Sequence, residues 1–236
     1  MPSSVNVIRR MDIRVTELSN DLVRFARVFE EAETFSGPSL YFHLRTLDCL
    51  RHHKSSADAL LSDELFEMIY ATLASWGMHR MGRGNTKLRN LDEIKASVRK
   101  HASEIKALQN LYLTQINRTE IAQVTRDVWR LLSNLTISIA EAKIVANSKV
   151  LHHVLPNLIP PIDRTYTFNF FYNRNMLTID EEEAFGEMFL RIHRIALENK
   201  DTLSHLVGTG WNTSETKVID NAIVGYVTDI LRITED

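Results

Sequence analysis

Three stretches of the chain combine residue types and spacings that can do chemistry. The first is Leu155-Pro156-Asn157-Leu158-Ile159-Pro160-Pro161-Ile162-Asp163-Arg164-Thr165-Tyr166. A helix must stop at Pro156, and the Pro160-Pro161 pair stiffens the approach to Asp163. Asp163 then opens a new helix carrying Tyr166, Phe168, Phe170 and Phe171. Unbonded N–H groups and the helix dipole favour a charged carboxylate at that position, so from the residues alone Asp163 reads as an N-cap.

The second stretch is Ala146-Asn147-Ser148-Lys149-Val150-Leu151-His152-His153. On a helix Asn147 shares a face with Leu151, and Lys149 with His153. Polar groups inside an apolar helix need bonded partners, because burying them bare is costly. Two histidines in a last turn are favoured there as cations. They lack the HExxH spacing of a zinc site, so neither a metal nor a cofactor is expected. Adjacent Ser148 and Lys149 are not the Ser-x-x-Lys of acyl-transfer enzymes.

The third stretch, Trp76 to Arg89, is a glycine-containing basic loop with Arg80, Arg83, Lys87 and Arg89. From Trp76 to Lys100 there are seven Lys/Arg and two Asp/Glu, a local balance of +5 in a chain whose net charge is −2. Glycines let backbone N–H groups approach an anion, and arginines offer two-pronged phosphate contacts. The same composition also suits a solvated loop whose arginines pair with acidic neighbours. No GK[ST] follows, which excludes a nucleotide-binding P-loop.

The elements that must position these groups are helices. Apolar residues recur at helical spacing from Leu65 through Trp76, in Leu91–Leu108, Ile121–Leu132, Phe185–Ala196 and Ile219–Ile230. Start signals precede several of them: Ser62, Asn90 with Glu93, Ser138 with Glu141, Thr178 with Glu181, and Thr213 or Ser214. Two N-terminal helices are expected over roughly 14–32 and 39–53. Thr136 to Ala140 is the only candidate strand. The pattern predicts an all-α, multi-helix bundle: one domain spanning 1–236, or two closely packed helical lobes. Lys217, Asp220 and Asn221 interrupt the last apolar face and read as a surface ion pair, with a sealed polar pocket as the alternative.

Composition narrows the class further. At 44% hydrophobic with eight Gly and five Pro, the chain has material for a core and none of the bias of a disordered or collagenous sequence. The near-zero charge gives no general affinity for nucleic acid. A single cysteine, Cys49, allows neither an internal disulfide nor a cysteine-rich metal site. Arg9, Arg10, Asp12 and Arg14 interrupt any early apolar run, and no stretch has bilayer-spanning length, so a cytoplasmic protein with no membrane partner is expected.

The first two stretches together resemble the helix–hairpin–helix/Gly-Pro-Asp superfamily of base-excision DNA glycosylases, over roughly residues 118–172. Pro161-Ile162-Asp163 is similar to the family's Pro-Val-Asp-like tripeptide that starts a helix. The resemblance implies a two-lobed helical fold with DNA as the partner. It makes Asp163 the catalytic carboxylate, with Lys149 or Lys143 in the family's Schiff-base position. Asn147, Ser148, His152, His153, Tyr166 and Trp76 would surround a flipped base. Arg80, Arg83, Lys87, Arg89 and Ser138 would hold DNA phosphates. The family's glycine-bearing hairpin would fall at Leu135–Ala142, where this chain has no glycine, so Ser138 carries that contact. The stretches 74–82 and 148–167 are also similar to those of an uncharacterised prokaryotic family, without a function attached. Three readings remain open: a DNA N-glycosylase with or without lyase activity, a non-catalytic nucleic-acid-binding protein, and a helical protein-interaction module.

Overall fold

The computed structural model describes residues 4–33, 35–79 and 87–233. Among them the chain is all-α, with thirteen α-helices and no strand. In order these are α1 (Ser4–Asn20), α2 (Leu22–Ala32), α3 (Pro38–Arg51), α4 (Ser56–Ala59), α5 (Asp63–Leu73), α6 (Leu91–Lys100) and α7 (Ala102–Leu108). Then come α8 (Ile121–Asn134), α9 (Ile144–Val154), α10 (Thr167–Tyr172), α11 (Glu181–Glu198), α12 (Lys200–Leu206) and α13 (Glu215–Asp229). A π-helical turn, Ala74–Met78, extends α5, and a short 3-10 turn covers Leu113–Gln115. No helix among the described residues is long and apolar enough to cross a membrane.

The chain divides into two compact units. The first comprises residues 1–34, 113–126 and 162–236, and the second residues 35–112 and 127–161. Of the four points where the chain passes from one unit to the other, one falls inside α8 and another between Pro161 and Ile162.

Several helix starts agree with their sequence signals. Ser62 accepts the Leu65 N–H, Ser214 accepts that of Lys217, and Asn90 and Glu93 form a reciprocal capping box. Others differ. The first helix starts at Ser4 instead of near residue 14 and breaks at Asp21, whose backbone leaves the helical region (φ −124°, ψ 31°). Helix α11 is capped by Asp180, which bonds the N–H groups of Glu182 and Glu183, while Thr178 accepts from Arg174. Ser138 caps nothing: it pairs with Leu88 in an isolated antiparallel bridge, and α9 starts only at Ile144. That bridge is all that becomes of the candidate strand at 136–140.

In the first unit α13 packs along α2. Leu22, Phe25, Ala26 and Phe29 form the inward stripe of α2, whereas α13 is buried on nearly every face. Phe25 and Phe170 both meet the Tyr226 ring edge-on, at 5.0 and 5.1 Å. Gly225 permits the approach: a Cβ there would lie 1.9 Å from the carbonyl oxygen of Phe25. Arg14 of α1 reaches the end of α10 and donates to the carbonyls of Asn169 (2.7 Å) and Phe170 (2.8 Å) and to Asn173 Oδ1. It thereby places a cation where that helix's unsatisfied carbonyls converge. His193 on α11 is buried, and its Nε2–H donates to the Ile116 carbonyl at 2.8 Å.

In the second unit α3 packs against α5 and α9. Thr46 and Thr72, both fully buried, share a 2.8 Å hydroxyl bond between α3 and α5. Arg99 of α6 lies over the Phe66 ring and donates to the Leu60 carbonyl at 2.7 Å.

Two stability measurements check this packing. Gly225→Ala forces a methyl group into a backbone carbonyl and lowers unfolding free energy by about 3 kcal/mol. Gly186→Ala, on α11 with nothing within 4 Å of its would-be Cβ, gains about 0.5–1 kcal/mol from helix propensity. Urea titrations of the two variants should move in opposite directions. Burial holds His193 neutral and pushes its pKa below the usual 6.5, outweighing its bond to Ile116. The unfolded chain therefore binds a proton that the folded chain refuses. The contribution of His193 to stability is intact above about pH 6.5 and declines as the pH falls through that value. Thermal unfolding between pH 7.5 and 5 should show a smaller slope for His193→Gln than for the unaltered chain.

Candidate functional site

Asp163 belongs to the first unit. It is half-buried, and its Oδ1 accepts the Tyr166 N–H at 2.6 Å. Its own N–H donates to Thr167 Oγ1 at 3.2 Å. The aspartate thus closes a turn over residues 163–166, while α10 starts only at Thr167 with Tyr166 as its N-cap and no side-chain cap bond, so Asp163 is not the helix N-cap that the sequence suggested. The carboxylate is fixed by one oxygen, and Oδ2 takes no hydrogen bond among the described residues. Tyr166 is itself buried and contributes its backbone to this arrangement.

The candidate residues of α9 lie in the second unit, with Trp76. Asn147 is a clamp: its Nδ2 donates to the carbonyls of Leu132 (2.8 Å) and Leu135 (2.9 Å), closing the C-terminal end of α8. Ser148 is fully buried and donates to the Val145 carbonyl. His152 and His153 are 0% exposed, as is His43 of α3. His152 Nδ1 lies 2.8 Å from the Ile159 carbonyl, and His153 Nδ1 lies 2.7 Å from that of Lys149. Carbonyls only accept, so both Nδ1 atoms carry a proton. His153 Nε2 is 2.9 Å from His43 Nδ1. With His153 neutral, Nε2 accepts and His43 Nδ1 donates. The three rings stack or meet edge-on at 5.1 to 5.8 Å.

Trp76 closes this cluster. Its ring lies 5.1 Å from that of His153 and 5.5 Å from that of His43, and its Nε1–H donates to the Ser39 carbonyl at 3.2 Å. The π-helical turn makes the approach possible. Gly77 takes φ +76°, a left-handed conformation that turns the chain directly after Trp76. Lys149, only partly buried, holds its ammonium 5.6 Å above the Trp76 ring, a cation–π contact. Lys143 precedes the first turn of α9 and is also partly buried. Both lysines are in the second unit and Asp163 in the first.

Of the basic stretch, Arg80 and Arg83 lie outside the described residues. Lys87 and Arg89 flank the bridge to Ser138: the Ile139 N–H donates to the Lys87 carbonyl (2.8 Å) and the Arg89 N–H to that of Ile137 (3.0 Å). These two cations are thus held beside the position where the sequence placed a phosphate-binding hairpin. Ser138 itself is buried. Part of the local positive charge is already matched. Arg89 pairs with Glu93, Lys95 with Asp63 and Asp92, and Arg99 with Asp63. Bonds from Arg99 and Lys95 hold the Asp63 carboxyl below the usual carboxylate range.

Sequence reasoning missed His43, whose one available signal was its place four residues before the buried Leu47 on the inward face of α3. It also misjudged Lys217 and Asp220, which form no surface pair. They are 4% and 6% exposed, and Lys217 Nζ donates to Asp220 Oδ2 (2.6 Å) and Asn221 Oδ1 (2.5 Å). The ammonium also lies 4.9 Å from the Trp211 ring centre and 5.4 Å from that of Phe29. Asn221 continues the network to Asn212, which donates to Glu30. Among the described residues no group of His, Cys, Asp and Glu could hold a metal. No family model, curated protein sequence or solved structure matches the chain.

The Asp163 turn ahead of α10 yields a direct measurement. Asp163→Ala removes the acceptor for the Tyr166 N–H and lowers stability by about 1 kcal/mol, whereas Asp163→Asn keeps an acceptor there and stays within about 0.5 kcal/mol. Equal losses in urea titrations of the two variants would mean that the carboxylate charge, rather than the turn bond, stabilises this turn.

Proposed function

We propose that this chain is a DNA-binding protein that cleaves an N-glycosidic bond, with Asp163 as the working carboxylate. The observation that carries the reading is the state of that side chain. Oδ1 is locked to the Tyr166 N–H, and Oδ2 accepts nothing among the described residues. A carboxylate fixed in this way is preorganised to face positive charge developing on a sugar ring. In the step proposed, the bond between C1′ and the base breaks and the base leaves with the bonding electrons. Asp163 stabilises the resulting sugar cation, and water adds at C1′ after losing a proton. The motif Pro161-Ile162-Asp163 and the all-α fold support the same reading.

Lys87 and Arg89 supply cations beside Ser138, and with Arg80 and Arg83 they serve as phosphate contacts that hold DNA without choosing its sequence. Amine chemistry is a separate question put to Lys149 and Lys143. Lys149 is the better placed, since the Trp76 ring and the imidazoles behind it fix the turn of helix that carries it. A second reading, DNA binding without catalysis, is favoured by the turn bond from the Tyr166 N–H, which by itself accounts for an aspartate at position 163.

Anisotropy of labelled duplexes bearing uracil, an oxidised base or an abasic site, followed at rising salt, tests the first half. Lys87→Ala with Arg89→Ala should weaken every duplex by about tenfold and flatten the slope of log affinity against log salt by about 0.9 for each phosphate no longer neutralised. Product analysis tests the second half. Asp163→Asn should bind as well as the unaltered chain and cleave at least about a hundredfold more slowly. Tight binding with no product from any of these duplexes selects the second reading, and no binding at low salt removes both.

A further inference from the structure

The outward face of α1 carries a pattern that none of the chemistry above uses. Val5, Ile8 and Ile13 are 70%, 43% and 49% exposed. With Arg9, Asp12, Thr16 and Glu17 they form one open face, all on this one helix. Val5, Arg9, Asp12 and Thr16 follow a 4-3-4 spacing, which on a helix makes one straight seam. Ile8 lies along one edge of that seam and Ile13 along the other. The inward face, Met11, Arg14, Val15 and Leu18, is already buried, and the seam faces solvent apart from Asp12 and Thr16, which Arg191 and Arg194 of α11 reach from the side.

The seam is complementary to itself when reversed. A two-fold axis crossing the helix midway between residues 10 and 11 brings each residue opposite the one whose number completes a sum of 21. Val5 then meets Thr16 of a second copy, and Arg9 meets Asp12 of a second copy, each contact occurring twice as a two-fold interface requires. Along the edges Ile8 lies beside Ile8 of the second copy, and Ile13 beside Ile13. The charges of the helix agree with this pairing. Arg9 makes no hydrogen bond or ion pair among the described residues. Asp12 gives Oδ1 to Arg191 Nε at 2.9 Å, which orients the carboxylate, while Oδ2 takes no hydrogen bond among the described residues.

We infer that the occupant of this face is a second copy of the chain, docked through an antiparallel α1–α1 contact with reciprocal Arg9–Asp12 ion pairs. A seventeen-residue helix is about 26 Å long. A seam of that length lies at the small end of specific interfaces, so the dimer is a weak one that builds up with concentration.

Sedimentation velocity of the full chain at about 10 µM to about 1 mM, the range in which small interfaces associate, tests it. The unaltered chain should move from monomer toward dimer across that range. Arg9→Asp alone sets aspartate against Asp12, and Asp12→Arg alone sets arginine against Arg9; each should weaken self-association at least about tenfold. Mixing the two variants restores opposite charges at both contacts, so the mixture should dimerise where neither variant does. Ile8→Glu with Ile13→Glu, which leaves both charges in place, should abolish association while circular dichroism stays unchanged. A monomer at every concentration, or a mixture no more associated than its components, would overturn the inference. A dimer indifferent to all of these changes would overturn it equally, by locating the contact elsewhere.

Discussion

A long helix buried on nearly every side must satisfy the polar side chains it carries from within, and each unit of this protein contains at least one among the described residues. In the second unit it is α9, in the first α13. Water cannot reach their polar groups, and an unbonded buried donor or acceptor costs on the order of 1–3 kcal/mol. Much else follows from that requirement. The Asn147 amide closes α8, Ser148 turns back on its own helix, and His152 and His153 donate their Nδ1 protons to carbonyls. On α13 the Lys217 ammonium takes a carboxylate, an amide and two aromatic faces, and the chain of amides runs on to Glu30. Replacing one member of such a set strands its neighbours, so these groups act together. Residue types that suggest chemistry in a sequence are here absorbed by the interior.

Asp163 obeys the same requirement up to a point. Its turn bond satisfies the Tyr166 N–H and uses one oxygen, and the turn geometry leaves the second oxygen unclaimed among the described residues. Holding the turn and catalysis therefore do not compete at this residue. A side chain held by a backbone N–H loses little entropy when it meets a ligand, which is the condition for a preorganised charge. Pro160 and Pro161 add to this by restricting the backbone that leads into the turn.

The sequence made the helices legible because their apolar spacing and capping residues are local signals. Ser62, Asn90 and Ser214 stand one residue before the helices they start. Legibility failed where a distant partner decided the outcome. Ser138 has the type and spacing of a cap, but its backbone pairs with Leu88, fifty residues earlier, and that pairing delays α9. Thr178 lost its capping role to Asp180, two residues on, which had the same chemistry and the better position. His43 could not be joined to His153 by any spacing rule, since 110 residues separate them. Lys217 and Asp220 stand at the spacing of a surface pair, and only the packing of Phe29 and Trp211 over the ammonium makes them internal.

That division bears on where an activity can reside. A group already bonded on all its valences cannot act on a ligand without first breaking a bond that holds the fold. The Asn147 amide is in that position, because both of its N–H groups are committed to the end of α8. Different in kind is Asp163 Oδ2, which takes no hydrogen bond among the described residues. The proposed cleavage of a nucleic-acid glycosidic bond would draw on such a carboxylate, with an amine and cations for the phosphates supplied elsewhere in the chain. The turn bond at Asp163 is one that an asparagine would serve equally well. The turn bond therefore accounts for the residue's place in the fold, and Asp163→Asn is the change that separates that role from the proposed reactivity.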